Sequence, residues 1–424
     1  MSDHPGSQAT LVETDPAEVP LRRNRNFQLL WSGSAFAFLG KEITDLVYPL
    51  VVLAVTGSPA WAGAFGGVQM FVSLLVGLPA GALADSKDRR LLLITMETVR
   101  ALAAGSVLVA ALLDRITLPH LLVVAVAIGA VQPLGGSARM LLVRAVVPPK
   151  QLTAALTQEE VRSHSAALAG PPLGGLLYSA AVVLPFAATA ISFLVSLVCA
   201  LFVRPPQRTK PAQSTVDGSA LSRVLTGVAL LWKVPMLRHS TLFAAVLNTV
   251  SAPLILIVIV ILGREGVSPA MVGLTMAALA VGGLAGTLLV RPLHRNLSPG
   301  ALMLWLGGTA VVLIGALSLP FGAWWMAAAL FLLGLGGPSM RVLVDILIFR
   351  QVPDEQRGRT VTAFMTILGA GAALGMVSSG LLLQYLSAPI AILTLSAVLA
   401  IALSFTIADR RIRAARWPEE PTAD

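Results

Sequence analysis

The 424-residue sequence predicts an all-α integral membrane protein of twelve transmembrane helices. Composition, the recurrence of long apolar runs and the placement of basic residues each point there. Hydrophobic residues make up 56% and charged residues only 12%, whereas soluble domains carry about a quarter charged. The mean hydropathy is +0.82, and a globular interior has no room for that much apolar chain. Runs of roughly 20 apolar residues, long enough to cross a ~30 Å hydrocarbon core as helix, recur twelve times. They fall at 27–54, 60–84, 91–113, 118–138, 156–178, 181–203, 239–262, 268–290, 300–318, 321–347, 360–384 and 387–408. The net charge of +9 does not indicate a nucleic-acid binder, because the basic residues punctuate apolar runs and do not cluster on a polar surface.

Of the 30 Lys and Arg, 24 fall on the side that holds both chain termini, against two, Arg115 and Arg264, on the other. By the positive-inside rule both tails are cytoplasmic. Residues 1–26 form a polar N-terminal tail with Pro5, Pro16 and Pro20 and no apolar h-region, so no cleavable signal peptide is expected. Residues 27–203 then form an N-terminal six-helix bundle, 204–238 a cytoplasmic central loop, 239–408 a C-terminal six-helix bundle and 409–424 a cytoplasmic C-terminal tail. Within the loop, Leu221, Val224, Leu225, Val228 and Leu231 recur at helical spacing with Arg223 and Lys233 off that face. This reads as an interfacial amphipathic helix, with a solvated linker as the alternative.

The two bundles are related by an internal repeat. At one offset of 205 residues, Gly81, Leu83 and Arg90 map onto Gly286, Leu288 and Arg295, Val147 and Pro148 onto Val352 and Pro353, and Gly170 and Gly175 onto Gly375 and Gly380. An even number of spans per repeat makes the repeats parallel.

Enzyme and metal chemistry find no footing. The lone Cys199 sits in an apolar span, the five His show no ligand spacing, and no Walker A sequence is present, so ATP does not drive the protein directly. No cofactor or metal is expected.

Ionisable residues inside spans mark function by default. Lys41, Glu42 and Asp45 lie in the first span, Glu42 roughly 22 Å along a helix from Phe27 at 1.5 Å per residue. Arg341 lies about 15 Å up the tenth span from Gln351 by the same rise. A structural Lys41–Asp45 pair competes with the functional reading. Glu97 and Arg100, three apart, read as a structural ion pair, and Glu159, Glu160, Arg162 and His164 as residues that snorkel to the interface.

The motifs sharpen this picture. GALADSKDRR at 81–90, between the second and third spans, resembles the signature G-x-L-a-D-r-x-G-R-R of the major facilitator superfamily of secondary transporters, matching at Gly81, Leu83, Asp85, Arg89 and Arg90 and departing at Ser86 and Asp88. GPPLGG at 170–175 is similar to the G-P-x-x-G-G element of its drug/proton antiporters, with Gly170, Pro171, Gly174 and Gly175. NFQLLW at 26–31, VTGSP at 55–59, SAR at 137–139 and VPDEQRGR at 352–359 extend the likeness to the branch with macrolide exporters and the enterobactin exporter.

The resemblance implies the major facilitator fold and an exporter of an amphipathic, drug-like organic molecule by proton antiport and alternating access. Export of an endogenous siderophore or secondary metabolite is the alternative, and a non-transporting sensor or scaffold the remaining class. It implies a cavity lined by the first, fourth, seventh and tenth spans, which nominates Gln132, Asn248, Arg341 and Asp345 for substrate and Glu42 and Asp45 for proton coupling. Asp85 would close a cytoplasmic gate near Thr360, and the glycines of the fifth span would meet Gly282, Gly283 and Gly286 of the eighth. The implied partners are a small-molecule substrate, protons and the lipid bilayer, with no nucleic acid. The expected setting is a monomer, multi-pass in the cytoplasmic membrane of a bacterium, whose GC-rich genome the Ala- and Arg-rich composition suggests.

Overall fold

The computed structural model describes residues 20–204 and 220–409, and no strand occurs among them. Fourteen α-helices follow in order: α1 (Arg25–Thr56), α2 (Pro59–Ser86), α3 (Arg89–Leu112), α4 (Leu118–Val146), α5 (Leu152–Ala180), α6 (Val183–Phe202), α7 (Ala220–Lys233), α8 (Pro235–Ser251), α9 (Leu254–Arg264), α10 (Pro269–Asn296), α11 (Pro299–Ala316), α12 (Gly322–Gln351), α13 (Asp354–Tyr385) and α14 (Ala388–Ala408). Each predicted span is present. Two additions bring twelve to fourteen: the amphipathic α7, and a break that divides the seventh span into α8 and α9. Pro253, which has no N–H to give the helix, sits at that break.

Ten helical segments are long and apolar enough to cross a bilayer by length and composition, with α8 and α9 together making one of them. The two long helices outside that set are α1 and α5, which carry Lys41, Glu42 and Asp45 and Glu159, Glu160 and Arg162. Large apolar side chains such as Leu288, Trp324 and Phe405 stand exposed on the outside of the bundle, as expected where lipid is the solvent.

Local chemistry sets the helix ends. Asn24 caps α1, its Oδ1 accepting the Phe27 N–H at 3.1 Å. Ser58, Ser268 and Ser298 cap α2, α10 and α11, each followed by a proline at the first helical position, where the missing N–H costs nothing. Gly57, with φ at +65°, turns the chain from α1 into α2, a conformation glycine adopts without strain.

The helices pack as two equivalent sets. The pairings α2 with α4, α3 with α6 and α1 with α5 recur as α10 with α12, α11 with α14 and α8 with α13. The sets meet along α2 with α13 and α5 with α10. At the end of the bundle holding both described chain ends, called here the terminal face, Asn26 and Arg204 exchange two hydrogen bonds at 2.8 and 3.0 Å and His239 lies 3.1 Å from Asp409. There α7 lies against α13, with Gly227 under the Arg359 carbonyl. Val224 and Leu231 of α7 are buried, whereas Leu225 and Trp232 are exposed, so the apolar face anticipated as one is divided between α13 and the surroundings.

Glycine notches bring helices within each set into backbone contact. Gly129 of α4 sits against the Gln69 carbonyl of α2, and in the other set Gly334 of α12 sits against the Leu279 carbonyl of α10. Gly337, one turn along α12, has open space where a Cβ would go. Gly334→Ala is therefore expected to destabilise the protein by ~1–3 kcal/mol through overpacking. Gly337→Ala should be neutral or gain about 0.5–1 kcal/mol from reduced chain entropy. Thermal unfolding of the two variants in detergent checks the contrast.

Candidate transport cavity and its charged groups

A cavity of about 590 Å³ lies between the two helix sets. Its walls come from α1 (Lys41, Thr44, Asp45, Pro49), from a long stretch of α2 between Phe65 and Leu78, from Gln132 of α4, from the α8–α9 break and from α13 between Val361 and Met376. The helix break is lodged where Ala252, Ile255 and Leu256 meet the cavity; irregular backbone at membrane depth is tolerated where it lines such a space. The end away from the terminal face is closed by backbone packing. Gly63 meets the Met376 carbonyl and Gly380, Gly380 in turn meets Pro59, and on the opposite side Gly175 meets Pro269 while Gly273 meets Pro171.

The charged group of α1 follows from helix geometry. Lys41 and Asp45 are four apart and share a face, so the Lys41 ammonium donates to Asp45 Oδ2 at 2.6 Å and also to Glu42 Oε1 at 3.0 Å. The three side chains are 33%, 30% and 22% exposed in that order. Lys41 and Asp45 face the cavity. Glu42 turns towards α5, its Cβ filling the notch left by the missing side chain of Gly170. The structural pair and the membrane-embedded cluster are thus one arrangement.

The GPPLGG segment has two working faces. Gly170 and Gly174 receive Glu42 and Ile43 of α1, while Gly175 and the Pro171 carbonyl face Pro269 and Gly273 of α10. The helix anticipated as its partner is the right one, but the residues differ. Gly282 and Gly286 pack on Phe331 and Leu335 of α12 and not on α5. They lie two to four turns further along α10, where its neighbour is within its own set.

Of the residues nominated for substrate, Gln132 lines the cavity. Asn248 donates to the Leu368 carbonyl at 2.7 Å, tying α8 to α13. Arg341 is exposed and Asp345 half-buried on α12, and neither is among the cavity-lining residues. Sequence reasoning passed over the uncharged polar residues Gln69, Ser73 and Thr366 and the thioethers Met70, Met365 and Met376. Their signal, small polar groups and methionines interrupting the second and eleventh spans, is visible only once those spans are known to border the cavity.

In the hairpin between α2 and α3, Asp88 accepts hydrogen bonds from the Arg90 and Leu91 N–H groups at 2.8 and 3.1 Å. The departure from the superfamily signature at that position is therefore a helix cap. Arg90 reaches across to the Leu201 carbonyl at 2.6 Å, Arg89 opens α3 and Leu83 lies in the last turn of α2. The Gly81 and Asp85 positions lie in that helix too, but the expected contact of the Asp85 carboxylate falls outside the described side chains.

A second charged network centres on a buried carboxylate. Glu97 Oε1, 0% exposed, accepts from Arg100 at 3.1 Å and from Arg139 of α4 at 2.7 Å. The expected Glu97–Arg100 pair is present, and Arg139 of the SAR segment completes it. Nearby, Arg162 pairs with Glu159 and lies 5.0 Å from the centre of the Phe38 ring; His164 and Glu160 stay at the surface, 3.2 Å apart.

These features define a multi-pass membrane transporter: two equivalent helix sets around a central cavity, with embedded charges on its wall. The family model described as transmembrane secretion effector matches residues 17–420, and the chain belongs to that family of the major facilitator superfamily. It is 25% identical to the multidrug efflux pump Tap of Mycolicibacterium fortuitum, over 80% of this chain and 85% of the pump. It is 23% identical to the transporter YfiS of Bacillus subtilis, over 94% and 97% of the two chains. Among solved structures, an inward-facing bacterial homologue of the human lysosomal transporter Spinster superposes with a TM-score of 0.71 at 16% identity, over 94% of this chain and 99% of that one. The nucleoside transporter NupG superposes with a TM-score of 0.70 at 14% identity, over 91% and 100%. The family and these relatives are transporters and not enzymes.

Taking one partner from a buried ion pair leaves a bare charge and costs about 3–5 kcal/mol. Glu97→Gln, which strips the carboxylate from two arginines, is expected to lower stability by that amount. Arg100→Gln should cost less, since Arg139 still neutralises Glu97. Thermal unfolding of both variants in detergent tests the ranking.

Proposed function

We propose that the protein is a proton-coupled exporter of amphipathic organic molecules, working as a monomer in the bacterial cytoplasmic membrane with both termini in the cytoplasm. The observation that carries this reading is the Lys41–Glu42–Asp45 cluster: one ammonium shared by two carboxylates, at the wall of a cavity otherwise lined by apolar and uncharged polar side chains. The cavity volume falls in the ~300–1,000 Å³ range of drug-sized ligand sites. The relatives named as multidrug efflux pumps support the direction and breadth of transport.

In this scheme the terminal face is cytoplasmic, in keeping with its basic residues, and the far-end glycine contacts form the closed gate. Substrate enters against Gln132, the methionines and Asp45. A proton taken up from the outside at Glu42 or Asp45 is released inside when the cavity returns. Proton occupancy follows the side to which the cavity opens, because a carboxylate's charge state depends on its hydration and on the cation beside it. The Gly81–Arg90 hairpin serves as the cytoplasmic gate, and the segment of Gly170, Pro171, Gly174 and Gly175 as the element that links Glu42 to the far gate.

Reconstituted in proteoliposomes, the protein is expected to move a fluorescent amphiphile uphill when a pH gradient is imposed. Glu42→Gln should abolish that uphill movement, a loss of at least about tenfold if the proton step is removed, while gradient-independent counterflow of an uncharged amphiphile continues. Uphill transport at the wild-type rate in Glu42→Gln would remove Glu42 from the coupling step.

A further inference from the structure

The charges at the cavity wall can be counted. Lys41 and Asp45 are the only charged side chains among the described cavity-lining residues, and Glu42, bonded to Lys41 from behind, is the only other charge in their cluster. One ammonium faces two carboxylates, so the group is one positive charge short of neutrality. An unpaired charge in a low-dielectric site is costly, and whatever occupies the cavity is selected by how it closes that deficit.

The Lys41 ammonium lies within hydrogen-bonding distance of both carboxylates, at 3.0 Å from Glu42 and 2.6 Å from Asp45. It can therefore give up one partner and keep the other. When a cationic ligand takes Asp45, Lys41 retains Glu42, and every charge in the cavity is paired. A dication leaves one positive charge over, and an anion adds to the negative surplus. The walls supply the matching apolar surface: Phe65, Met70, Leu74 and Met365 flank the same space, and thioethers adapt to irregular ligand shapes.

We propose that Lys41 is a specificity-determining residue, a tethered cation that occupies one of two carboxylates and so sets the cavity's preference among cationic amphiphiles at a single positive charge. This rests on the exporter reading above and names its substrate class. Substrate and proton then fill the same one-charge deficit and exclude one another. The count further implies that removing the Lys41 charge creates a site for two positive charges.

Ethidium and propidium, which share a phenanthridinium core but carry one and two positive charges, test this by fluorescence titration of the full-length protein in lipid nanodiscs at alkaline pH without any gradient. Wild type should prefer ethidium over propidium. Lys41→Gln should shift the ethidium-to-propidium ratio of dissociation constants by at least about tenfold towards propidium, Lys41→Arg should keep the wild-type order, and Asp45→Asn should lose ethidium binding. Lys41→Met serves beside Lys41→Gln, and monodispersity on gel filtration identifies a variant that has misfolded. A ratio unchanged within threefold in both neutral variants overturns the proposal, as does an equal shift in Lys41→Arg, or wild-type ethidium binding no better than that of Asp45→Asn. Because the assay uses no gradient, a switched ratio without pH-driven flux in proteoliposomes retains the role of Lys41 and rejects the exporter reading. Flux with an unswitched ratio does the reverse.

Discussion

Hydrocarbon offers no hydrogen-bond partner, and most of this structure follows from the need to satisfy every polar group without water. The backbone meets it by remaining helical through twelve crossings. Its interruption within the seventh span falls at Pro253, beside the cavity. Buried charges meet it by ion pairing: Glu97 takes two arginines, Arg162 takes Glu159 and the face of Phe38, and Lys41 divides itself between Glu42 and Asp45. The first two networks hold helices of one set together. The third has a carboxylate and its ammonium directed at the cavity, which is why the proposed function assigns the transporting charge to it and not to the other two.

Backbone contact is the second organising element. Where Gly129, Gly282, Gly286 and Gly334 remove side chains, helices of the same set approach until carbonyls touch the opposing chain, and van der Waals packing replaces the hydrophobic drive that lipid cannot supply. The contacts between sets, at Gly63, Gly175, Gly273 and Gly380, gather towards one end of the bundle. Tight packing within sets and end-weighted packing between them is what rigid-body rocking about a central site requires.

The sequence made the spans, their two-fold repeat and the α1 charge cluster legible, because each is written locally: apolar length, a fixed 205-residue offset, and Lys41 and Asp45 one helical turn apart. Residues brought together by tertiary packing were not legible. Arg139 joins Glu97 across 42 residues, and no spacing rule connects them. Gln69 and Met376 border the cavity because α2 crosses α13 there, a fact of topology and not of periodicity. Asp88 read as a lapse from a motif until its hydrogen bonds to Arg90 and Leu91 gave it a capping role. The amphipathic face of α7 was visible, but its division between α13 and the exterior depends on Gly227, a residue without any side chain to mark it.

The position of Glu42 ties these threads together. Its stem sits in the Gly170 notch, and one residue further along the same helix the Pro171 carbonyl rests on Gly273 of the other set. A change of charge on Glu42 alters how firmly Lys41 is held, and any movement of the Glu42 stem is opposed by α5 backbone with no side chain to yield. Packed backbone transmits such displacements because close-packed interiors are nearly incompressible. In the proposed scheme the proton therefore acts on the far gate through one turn of α5. The same turn explains why a glycine and a proline stand next to each other there: Gly170 admits the charged side chain on one face, and Pro171, with no N–H of its own, leaves the local helix freer to bend as its carbonyl follows α10.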